Sequence, residues 1–361
     1  MMTIISRHFY IILILLYFIG FCYLYSSIDA IAKKKPPSSF KQTTPKTIDI
    51  FQRRIKFVDE FCSMKIDSTV KEKEPKVGRL LVLKERNLVW CPVYKAGTSA
   101  WKAYLVAISQ KSSSEKEKLV QKLLAKNPQT SDAVHQSLEM SRPAWKAWFA
   151  QSESSESSTR FLVVRHPFDR LVSVFRDKLE RNNLYNGQWG YDHYGKDIVR
   201  LYRQKYLDRF GFDSLSKDNN YGAILPVTHG ERTSKLPTFW EFIQWFLREN
   251  KSHAYDHWTP IFDFCSMCAF EYNYILKFEH FAEESEEFMQ SANLTQYLPD
   301  DKMVDFHKIV NNNHQTIPST DITKLYFSVL SDEEIRQLFQ IYQYDFQLFG
   351  YSFQFRNVTY S

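Results

Sequence analysis

Two segments of this chain share one organisation: an apolar strand, then a tight turn with a cation and hydroxyl groups, then an amphipathic helix. The first runs from Cys91 to Trp101 (CPVYKAGTSAW) and the second from Phe161 to Ser173 (FLVVRHPFDRLVS). Such a turn makes an anion site, because free backbone N–H groups and the helix dipole both favour negative charge at a helix N-terminus. Two such units in one sheet predict two anion sites, which suits a ligand with two separated phosphate-type groups.

The alternation of apolar strands with amphipathic helices predicts an α/β fold, in which a parallel sheet is flanked by helices. The 361 residues are enough for one large core, and we expect a single folded domain at 51–361. A capping box at Ser331 begins the last helix, and Gly350 is expected to end it. The patterns predict strands at 79–83, 88–93, 160–164 and 274–278, and helices at 51–62, 98–110, 115–126, 143–150, 167–181, 196–209, 238–250 and 331–346.

The N-terminal segment predicts a membrane anchor. Residues 9–25 (FYIILILLYFIGFCYLY) carry no charge and no proline, and the three residues after them extend the run toward the length that crosses a bilayer. A signal peptide cleaved near Ala30 is the alternative. The lysines at 33–35 oppose a lumenal location of the large domain by the positive-inside rule. The expected organisation is a cytoplasmic tail at 1–8, a transmembrane signal-anchor at 9–28 and a stem rich in Lys, Pro, Ser and Thr at 29–50.

Sequons and cysteines bear on the compartment of the domain. Sequons at Asn250, Asn293 and Asn357 favour a lumenal location and are candidate glycosylation sites. The cysteines beyond the predicted span allow three disulfide pairings, and one or two structural disulfides or buried thiols are expected at Cys62, Cys91, Cys265 and Cys268. The CxxC at 265–268 resembles half a zinc site, but no second CxxC accompanies it. No metal site is therefore predicted.

Charge and glycine spacing exclude some functions. The net charge of +6 is a modest basic excess, which fits an acidic ligand such as a nucleotide or an anionic sugar polymer. Lys and Arg are not clustered densely enough to predict a nucleic-acid partner. The first turn does not match a P-loop kinase, because Lys95 precedes the single glycine of the segment.

The residue types of the two turns suit phosphate-like groups. In the first turn Gly97 lets the backbone approach a ligand, while Lys95 supplies a positive charge and the adjacent Thr and Ser supply hydroxyl donors. A plain turn with a solvent-facing lysine is the alternative. In the second turn Arg165 follows the strand, and arginine binds phosphate oxygens in a bidentate manner. An arginine that forms a structural clamp with Asp169 or Asp177 is the alternative there.

Together the two segments resemble the two signatures of sulfotransferases that use 3′-phosphoadenylyl sulfate. In particular they resemble the Golgi carbohydrate sulfotransferase family that contains the chondroitin 4-O-, dermatan 4-O- and HNK-1 enzymes. The family pattern Cys-x-x-Pro-Lys-x-x-x-(Ser/Thr)-x-Trp maps onto Cys91 to Trp101, and Arg-x-Pro-Phe-x-Arg-Leu-x-Ser-x-x-Arg-x-Lys maps onto Arg165 to Lys178. Further matches over residues 50–352 are Pro237 to Phe239, His257 to Pro260, Cys265 to Cys268, Leu276 to Glu279 and Asp345 to Gly350.

The resemblance implies a P-loop-like sheet and a role for each turn. The 94–100 loop would hold the 5′-phosphosulfate of the donor, with Lys95 on the bridging oxygen. Arg165 and Ser173 would hold the 3′-phosphate, with Arg170 supporting that loop and no metal required. The donor-binding residues expected on this basis are Tyr94, Lys95, Ala96, Gly97, Thr98, Ser99, Ala100, Arg165, His166, Arg170 and Ser173.

The resemblance also implies the reaction and its location. We expect sulfate transfer to a hydroxyl of a glycosaminoglycan or glycoprotein glycan, with O4 of N-acetylgalactosamine in chondroitin-type chains as the preferred acceptor. The irregular region at 182–236 is expected to bind that acceptor. The family layout implies a single-pass type II protein of the Golgi membrane with a lumenal catalytic domain. A catalytically inactive relative that only binds a glycan or nucleotide is the alternative.

Three positions depart from the family pattern, and the general base is open. Tyr94 replaces a proline, Ala100 replaces a common asparagine, and His166 stands where an acidic or amide residue is frequent. A base should deprotonate the acceptor hydroxyl, and His257 is the first candidate because Asp256 precedes it. A histidine that only packs is the alternative. The further candidates are Glu180, Asp177 and His135.

Overall fold

The computed structural model of the chain describes residues 46–65, 76–125, 128–139, 141–150, 157–180, 189–211, 236–298 and 319–361. The predicted tail at 1–8, the predicted anchor at 9–28 and the stem up to residue 45 lie outside these residues. So do parts of the 182–236 region. Of the helices in the described ranges, none combines the length and the apolar character needed to cross a bilayer.

The described part of the chain alternates strands with helices, as an α/β fold requires. The strands are β1 Leu81–Leu83, β2 Leu88–Cys91, β3 Thr159–Val164, β4 Tyr274–Lys277, β5 Phe353–Phe355 and β6 Val358–Tyr360. The helices are α1 Lys46–Lys65, α2 Thr98–Ile108, α3 Ser113–Leu124, α4 Pro128–Leu138, α5 Arg142–Phe149, α6 Pro167–Phe175, α7 Lys196–Phe210, α8 Phe239–Arg248, α9 Ile261–Phe264, α10 Phe281–Ser291, α11 Ser319–Phe327 and α12 Asp332–Phe349.

The main sheet has the strand order β1-β2-β3-β4. Strands β2, β3 and β4 are parallel, with Trp90 opposite Phe161 and Leu162 opposite Ile275, whereas β1 is antiparallel to β2. Residues 161–164 of β3 are all buried, as expected of a parallel strand with both faces covered. Because β2 and β3 are parallel neighbours, the two predicted anion turns leave the same edge of the sheet.

Several helices follow the sequence patterns, and others differ. The capping box of α12 is confirmed, since Ser331 accepts from the Glu334 N–H and Glu334 accepts in return, and Gly350 ends the helix with a φ of 60°. Helix α1 begins at Lys46, within the segment expected as a stem. Helix α4 is not predicted, because its sequence PQTSDAVHQSL has few apolar residues at helical spacing. The helix predicted over 167–181 becomes π-helical at Arg176–Glu180, here named the π-helical turn.

Aromatic side chains anchor the two helices that begin at the anion turns. Trp101 of α2 lies 4.7 Å from Phe161 of β3, measured between ring centroids, and both are fully buried. Phe168 of α6 lies 4.9 Å from Phe346 of α12. Burial of each such side chain stabilises the fold by about 1.5–3 kcal/mol. The helix N-termini at the site are therefore held by the core behind them.

Two disulfides join distant segments at one turn. Cys62 of α1 bonds with Cys268, and Cys91 at the end of β2 bonds with Cys265, with Cα atoms 5.4 and 5.8 Å apart. This is one of the three pairings that the cysteine count allows. The second bond holds the residues after α9 beside the first anion turn.

Candidate active site

The first turn curls tightly between β2 and α2. Lys95 and Gly97 both adopt left-handed backbone conformations, with φ of 68° and 83°. A side chain at Gly97 would meet the Phe281 ring at 2.3 Å, so only glycine fits there. The Thr98 hydroxyl donates to the Val93 carbonyl at 3.0 Å and closes the turn. The first N–H groups of α2 therefore lie at the sheet edge where β2 ends.

The remaining residues of the first turn contribute unequally. Ala96 and Ala100 are buried, so they can offer a ligand only their backbone. Ser99 is exposed and its hydroxyl is accessible. Tyr94 packs its ring against aromatic neighbours. The chemistry available in this turn thus comes from Lys95, one serine hydroxyl and backbone N–H groups.

Lys95 lies in an ion-pair cluster with Asp177 and Lys178 of the π-helical turn. The ammonium nitrogens of both lysines are 3.4 Å from Asp177 Oδ2. Burial, together with the nearby cations Lys178 and Arg165, lowers the pKa of Lys95 to about 8, although Asp177 opposes this shift. Burial acts to raise the pKa of Asp177, but the two lysines outweigh it and hold that pKa below its usual value. Lys95 is therefore a partly desolvated cation that an anionic ligand would stabilise.

Arg165 joins the two turns directly. Its guanidinium donates to the Lys95 carbonyl at 2.9 Å and to the Ser319 hydroxyl at 2.8 Å. It also lies over the Phe278 ring, 4.7 Å from the ring centroid. Burial lowers the pKa of this guanidinium. The bond to the Lys95 carbonyl ties the guanidinium of the second turn to the backbone of the first turn.

A small polar pocket with a volume of about 40 Å³ opens beside Arg165. The donor groups that line it belong to Arg165, Ser173, Arg176, Ser319 and Thr323. An acidic side chain, Asp169, also lines it, but its Oδ1 accepts the hydroxyl proton of Thr323 at 2.5 Å. A pocket with guanidinium and hydroxyl donors fits a phosphate-type anion.

The structure corrects the expectation that the side chains of Arg170 and His166 bind the sulfate donor, because both are buried. Arg170 is 1% exposed, and it donates to the carbonyls of His257 and Thr259 at 2.9 and 2.5 Å. His166 is buried and caps α6: its Nδ1 accepts from the Asp169 N–H, and its Nε2 bonds with a backbone carbonyl of the C-terminal segment at 3.2 Å. Neither side chain is accessible to a bound nucleotide. Arg170 fixes the segment of His257, and His166 fixes the start of α6.

The His257 ring lies between two tyrosine rings. The Tyr94 centroid is 4.0 Å from the imidazole centroid with an interplanar angle of 8°, and the Tyr255 centroid is 4.4 Å away at 5°. Burial and nearby cations, first among them Lys178 and Lys95, lower the pKa of His257 well below its usual value. The imidazole is thus neutral at neutral pH, as a general base must be before it takes a proton.

The other candidate bases are engaged elsewhere. Asp256 was expected only as a partner of His257, and its carboxylate accepts from the Arg79 guanidinium at 2.6 Å instead. Glu180 accepts a hydrogen bond from a tyrosine of α11 at 2.5 Å. The Nε2 atom of His135 lies 3.0 Å from Oε1 of Glu139. Asp177 is held by the two lysines described above, so His257 is the candidate that the geometry favours.

The three sequon asparagines lie at exposed turns. Asn250, Asn293 and Asn357 have left-handed backbones, with φ of 50°, 53° and 65°, which asparagine adopts more readily than most residues. Their side chains are accessible. Glycosylation at these positions stays a prediction.

Several residues of the site were not singled out in the sequence. Arg176 and Lys178 belong to the matched second motif, so the family pattern itself carried a signal for them. Ser319 and Thr323 come from α11, more than 140 residues after the second turn, and no local pattern marks them. Tyr255 carries no signal either, because its role depends on its contact with the His257 ring.

Comparison with known proteins points to the same family as the two sequence motifs. The model of the sulfotransferase family matches residues 78–352. Carbohydrate sulfotransferase 8 of Mus musculus is 26% identical over 335 residues, which cover 89% of this chain and 70% of that protein. Carbohydrate sulfotransferase 8 of Homo sapiens is 26% identical over 314 residues, which cover 85% of this chain and 64% of that protein. Carbohydrate sulfotransferase 12 of Xenopus laevis is 25% identical over 287 residues, covering 76% and 60%. The alignments thus span between 60% and 70% of these relatives, and no solved structure matches the chain.

Proposed function

Since this chain belongs to the sulfotransferase family, we propose that it transfers the sulfuryl group of 3′-phosphoadenylyl sulfate to a hydroxyl group of a glycan. The relatives that it resembles are named carbohydrate sulfotransferases, which supports a glycan acceptor. The observation that carries the proposal is the bond from Arg165 to the Lys95 carbonyl, because it sets two anion sites side by side at one sheet edge. A nucleotide with phosphate groups at its 5′ and 3′ positions needs such a pair.

The donor is assigned to the two turns by their chemistry. The first turn, with Lys95 and the N-terminus of α2, suits the 5′-phosphosulfate. The pocket of Arg165 and Ser173 suits the 3′-phosphate, and Arg176 adds a second guanidinium there. Both assignments agree with the roles that the family resemblance implies. In this assignment Arg170 holds the backbone around His257 and His166 caps α6, and neither side chain contacts the nucleotide.

The proposed reaction is an in-line displacement at sulfur. A new bond forms between the acceptor oxygen and sulfur while the bond from sulfur to the 5′-phosphate oxygen breaks, and adenosine 3′,5′-bisphosphate leaves. The charge of Lys95 stabilises the negative charge that grows on the leaving phosphate. His257, neutral beforehand, accepts the proton of the acceptor hydroxyl.

The acceptor and the location follow from the resemblance. We infer O4 of N-acetylgalactosamine in chondroitin-type chains as the acceptor group, and a Golgi protein anchored by residues 9–28 with its catalytic domain in the lumen. The two disulfides support an oxidising compartment. The exposed sequons at Asn250, Asn293 and Asn357 support a lumenal face.

A transfer assay tests the proposal. The full chain is incubated with radiolabelled donor and a panel of desulfated chondroitin, dermatan and heparan chains, and we expect label in chondroitin. Lys95→Ala and Arg165→Ala should each reduce transfer about 100-fold or more, because each removes a charge at the reacting nucleotide. Lys118→Ala, at an exposed lysine of α3, is the matched control and should leave transfer unchanged. Full transfer by either site variant contradicts the assignment, and nucleotide binding without transfer to any glycan supports the inactive alternative.

A further inference from the structure

We propose that Tyr94 and Tyr255 are positioning residues for sulfate transfer, whose parallel rings form a slot that holds the His257 imidazole in one plane. The proposal rests on the proposed function, in which His257 accepts the proton of the acceptor hydroxyl. It adds a device that orients this base. It also gives a role to Tyr94, where the family pattern has proline.

The slot replaces the hydrogen bond that usually orients a catalytic histidine. Such a histidine commonly donates from one ring nitrogen to a carboxylate or carbonyl, which sets its tautomer and its plane. Among the described residues, Nδ1 of His257 has no hydrogen-bond partner and is buried, and the adjacent Asp256 bonds with Arg79 instead. Stacking within 8° and 5° of parallel on both faces is then what stops the ring from turning.

The slot leaves one edge of the imidazole open. His257 as a whole is partly exposed, whereas its Nδ1 is not accessible. Nε2, on the opposite edge of the ring, is not among the buried atoms without a partner, and it is the nitrogen able to meet a hydroxyl. Rotation of the imidazole about its Cβ–Cγ bond would drive the ring into Tyr94 or Tyr255, so the same edge stays exposed to the acceptor.

The backbone that carries the slot is fixed by buried groups. Arg170 donates to the His257 carbonyl at 2.9 Å, and the Tyr342 hydroxyl donates to the Trp258 carbonyl at 2.6 Å. Asp345 is fully buried and accepts from two N–H groups at the start of α9, at 2.7 and 2.8 Å. The main chain and the ring plane are thus held independently, the first by hydrogen bonds and the second by the tyrosines.

The slot also links the base to the donor turn. Tyr94 directly precedes Lys95, so the residue that stacks on the base and the residue assigned to the leaving phosphate are adjacent in the chain. Edge contacts support both tyrosines from outside: Phe264 lies 5.8 Å from Tyr94, and Trp258 lies 5.0 Å from Tyr255. Displacement of the Tyr94 ring would release one face of the imidazole.

The charges that act on the imidazole keep it neutral while the slot is intact. After burial, the cations that disfavour its protonation are, in order of effect, Lys178, Lys95, Arg170 and Lys102. Asp256, Glu139, Asp132 and Arg79 act on Tyr94. Replacing Tyr94 with an aliphatic residue admits water to one imidazole face and weakens the effect of burial.

Steady-state kinetics of the full chain test the slot. Tyr94→Leu removes the flat ring and should lower kcat about tenfold or more, while the KM for the donor changes less than about threefold, because a misplaced base affects the transition state rather than donor binding. Tyr94→Phe keeps the ring and should recover kcat to within about threefold of the wild type. An unchanged kcat in Tyr94→Leu, or an equal loss in both variants, overturns the proposal.

Chemical rescue separates positioning from a purely structural role. In His257→Ala, added imidazole can enter the slot and should restore transfer about fivefold or more. In the double variant His257→Ala/Tyr94→Leu the slot has lost one wall, and rescue should disappear. Rescue of equal size in both variants overturns the proposal.

An activity-independent measurement keeps this inference apart from the proposed function. The His257 titration is followed by nuclear magnetic resonance and assigned by the signal lost in His257→Gln. We expect a pKa below the usual value of about 6.5 in the wild type and Tyr94→Phe, and a shift toward it in Tyr94→Leu. If the wild type transfers no sulfate but this shift occurs, the proposed function fails and the slot stands. A titration unchanged by Tyr94→Leu overturns the slot whatever the activity.

Discussion

Binding of adenosine 3′,5′-bisphosphate is expected to take up a proton at Lys95. The pKa of Lys95 is about 8 in the nucleotide-free protein, so about half of the molecules carry a neutral amine at pH 8. A bound phosphate favours the ammonium form and raises this pKa well above 8, so the neutral half becomes protonated. The uptake should therefore be about 0.5 proton per molecule at pH 8 and about 0.1 at pH 7.

Calorimetry in buffers of different ionisation enthalpy measures this uptake, as the slope of the observed binding enthalpy against the buffer enthalpy. The nucleotide contributes little, because its phosphates are already dianionic at pH 8. Lys95→Arg keeps the positive charge but does not lose its proton in this range, so uptake at pH 8 should fall close to zero. An uptake near zero in the wild type, or an equal uptake in Lys95→Arg, refutes the reasoning.

Three further perturbations follow from the site. Arg165→Met should weaken bisphosphate binding about 10- to 100-fold by calorimetry, since a hydrogen bond from a charged group contributes about 1.5–3 kcal/mol, whereas Arg160→Met at the far end of β3 should not. Gly190→Ala places a Cβ 1.9 Å from a carbonyl oxygen of the π-helical turn, so it should lower the free energy of unfolding by about 1–3 kcal/mol in urea titrations. Gly78→Ala is the matched control, because its new Cβ would meet no atom within 4 Å. Because the pKa of His257 lies below its usual value of about 6.5, kcat should stay constant until the pH falls below about 6.5, where the base becomes protonated. A fall in kcat centred at or above that pH contradicts the role of His257 as the base.

The sequence predicted those parts of the site that are local. Each anion turn lies within about a dozen residues, so its strand, its cation and the start of its helix are all recognisable in one short segment of sequence. The parallel pairing of β2 with β3 then places the two turns side by side. The direction of Arg170 was not predictable in the same way. The N–H groups of its guanidinium donate to carbonyls 87 to 89 residues later in the chain. The spacing of residues in the sequence does not distinguish such an arginine from one that faces a ligand.

The tyrosine slot and the disulfide pairing were hidden for the same reason. Tyr94 and His257 are more than 160 residues apart, and only the folded sheet brings their rings within 4.0 Å. Four cysteines allow three pairings, and the spacing favours none of them. Long-range contacts of this kind depend on the packing of several elements at once, so they follow from the tertiary structure.

Both crosslinks end in the short turn from Cys265 to Cys268. A reducing agent would therefore detach two elements from the same turn: helix α1, through Cys62, and strand β2, through Cys91. Loss of a native disulfide commonly costs about 2–5 kcal/mol, and here both losses would fall on one place. Recombinant chain made in a reducing cytoplasm should consequently yield a loosened, inactive product, whereas secretion or oxidative refolding should give the competent form.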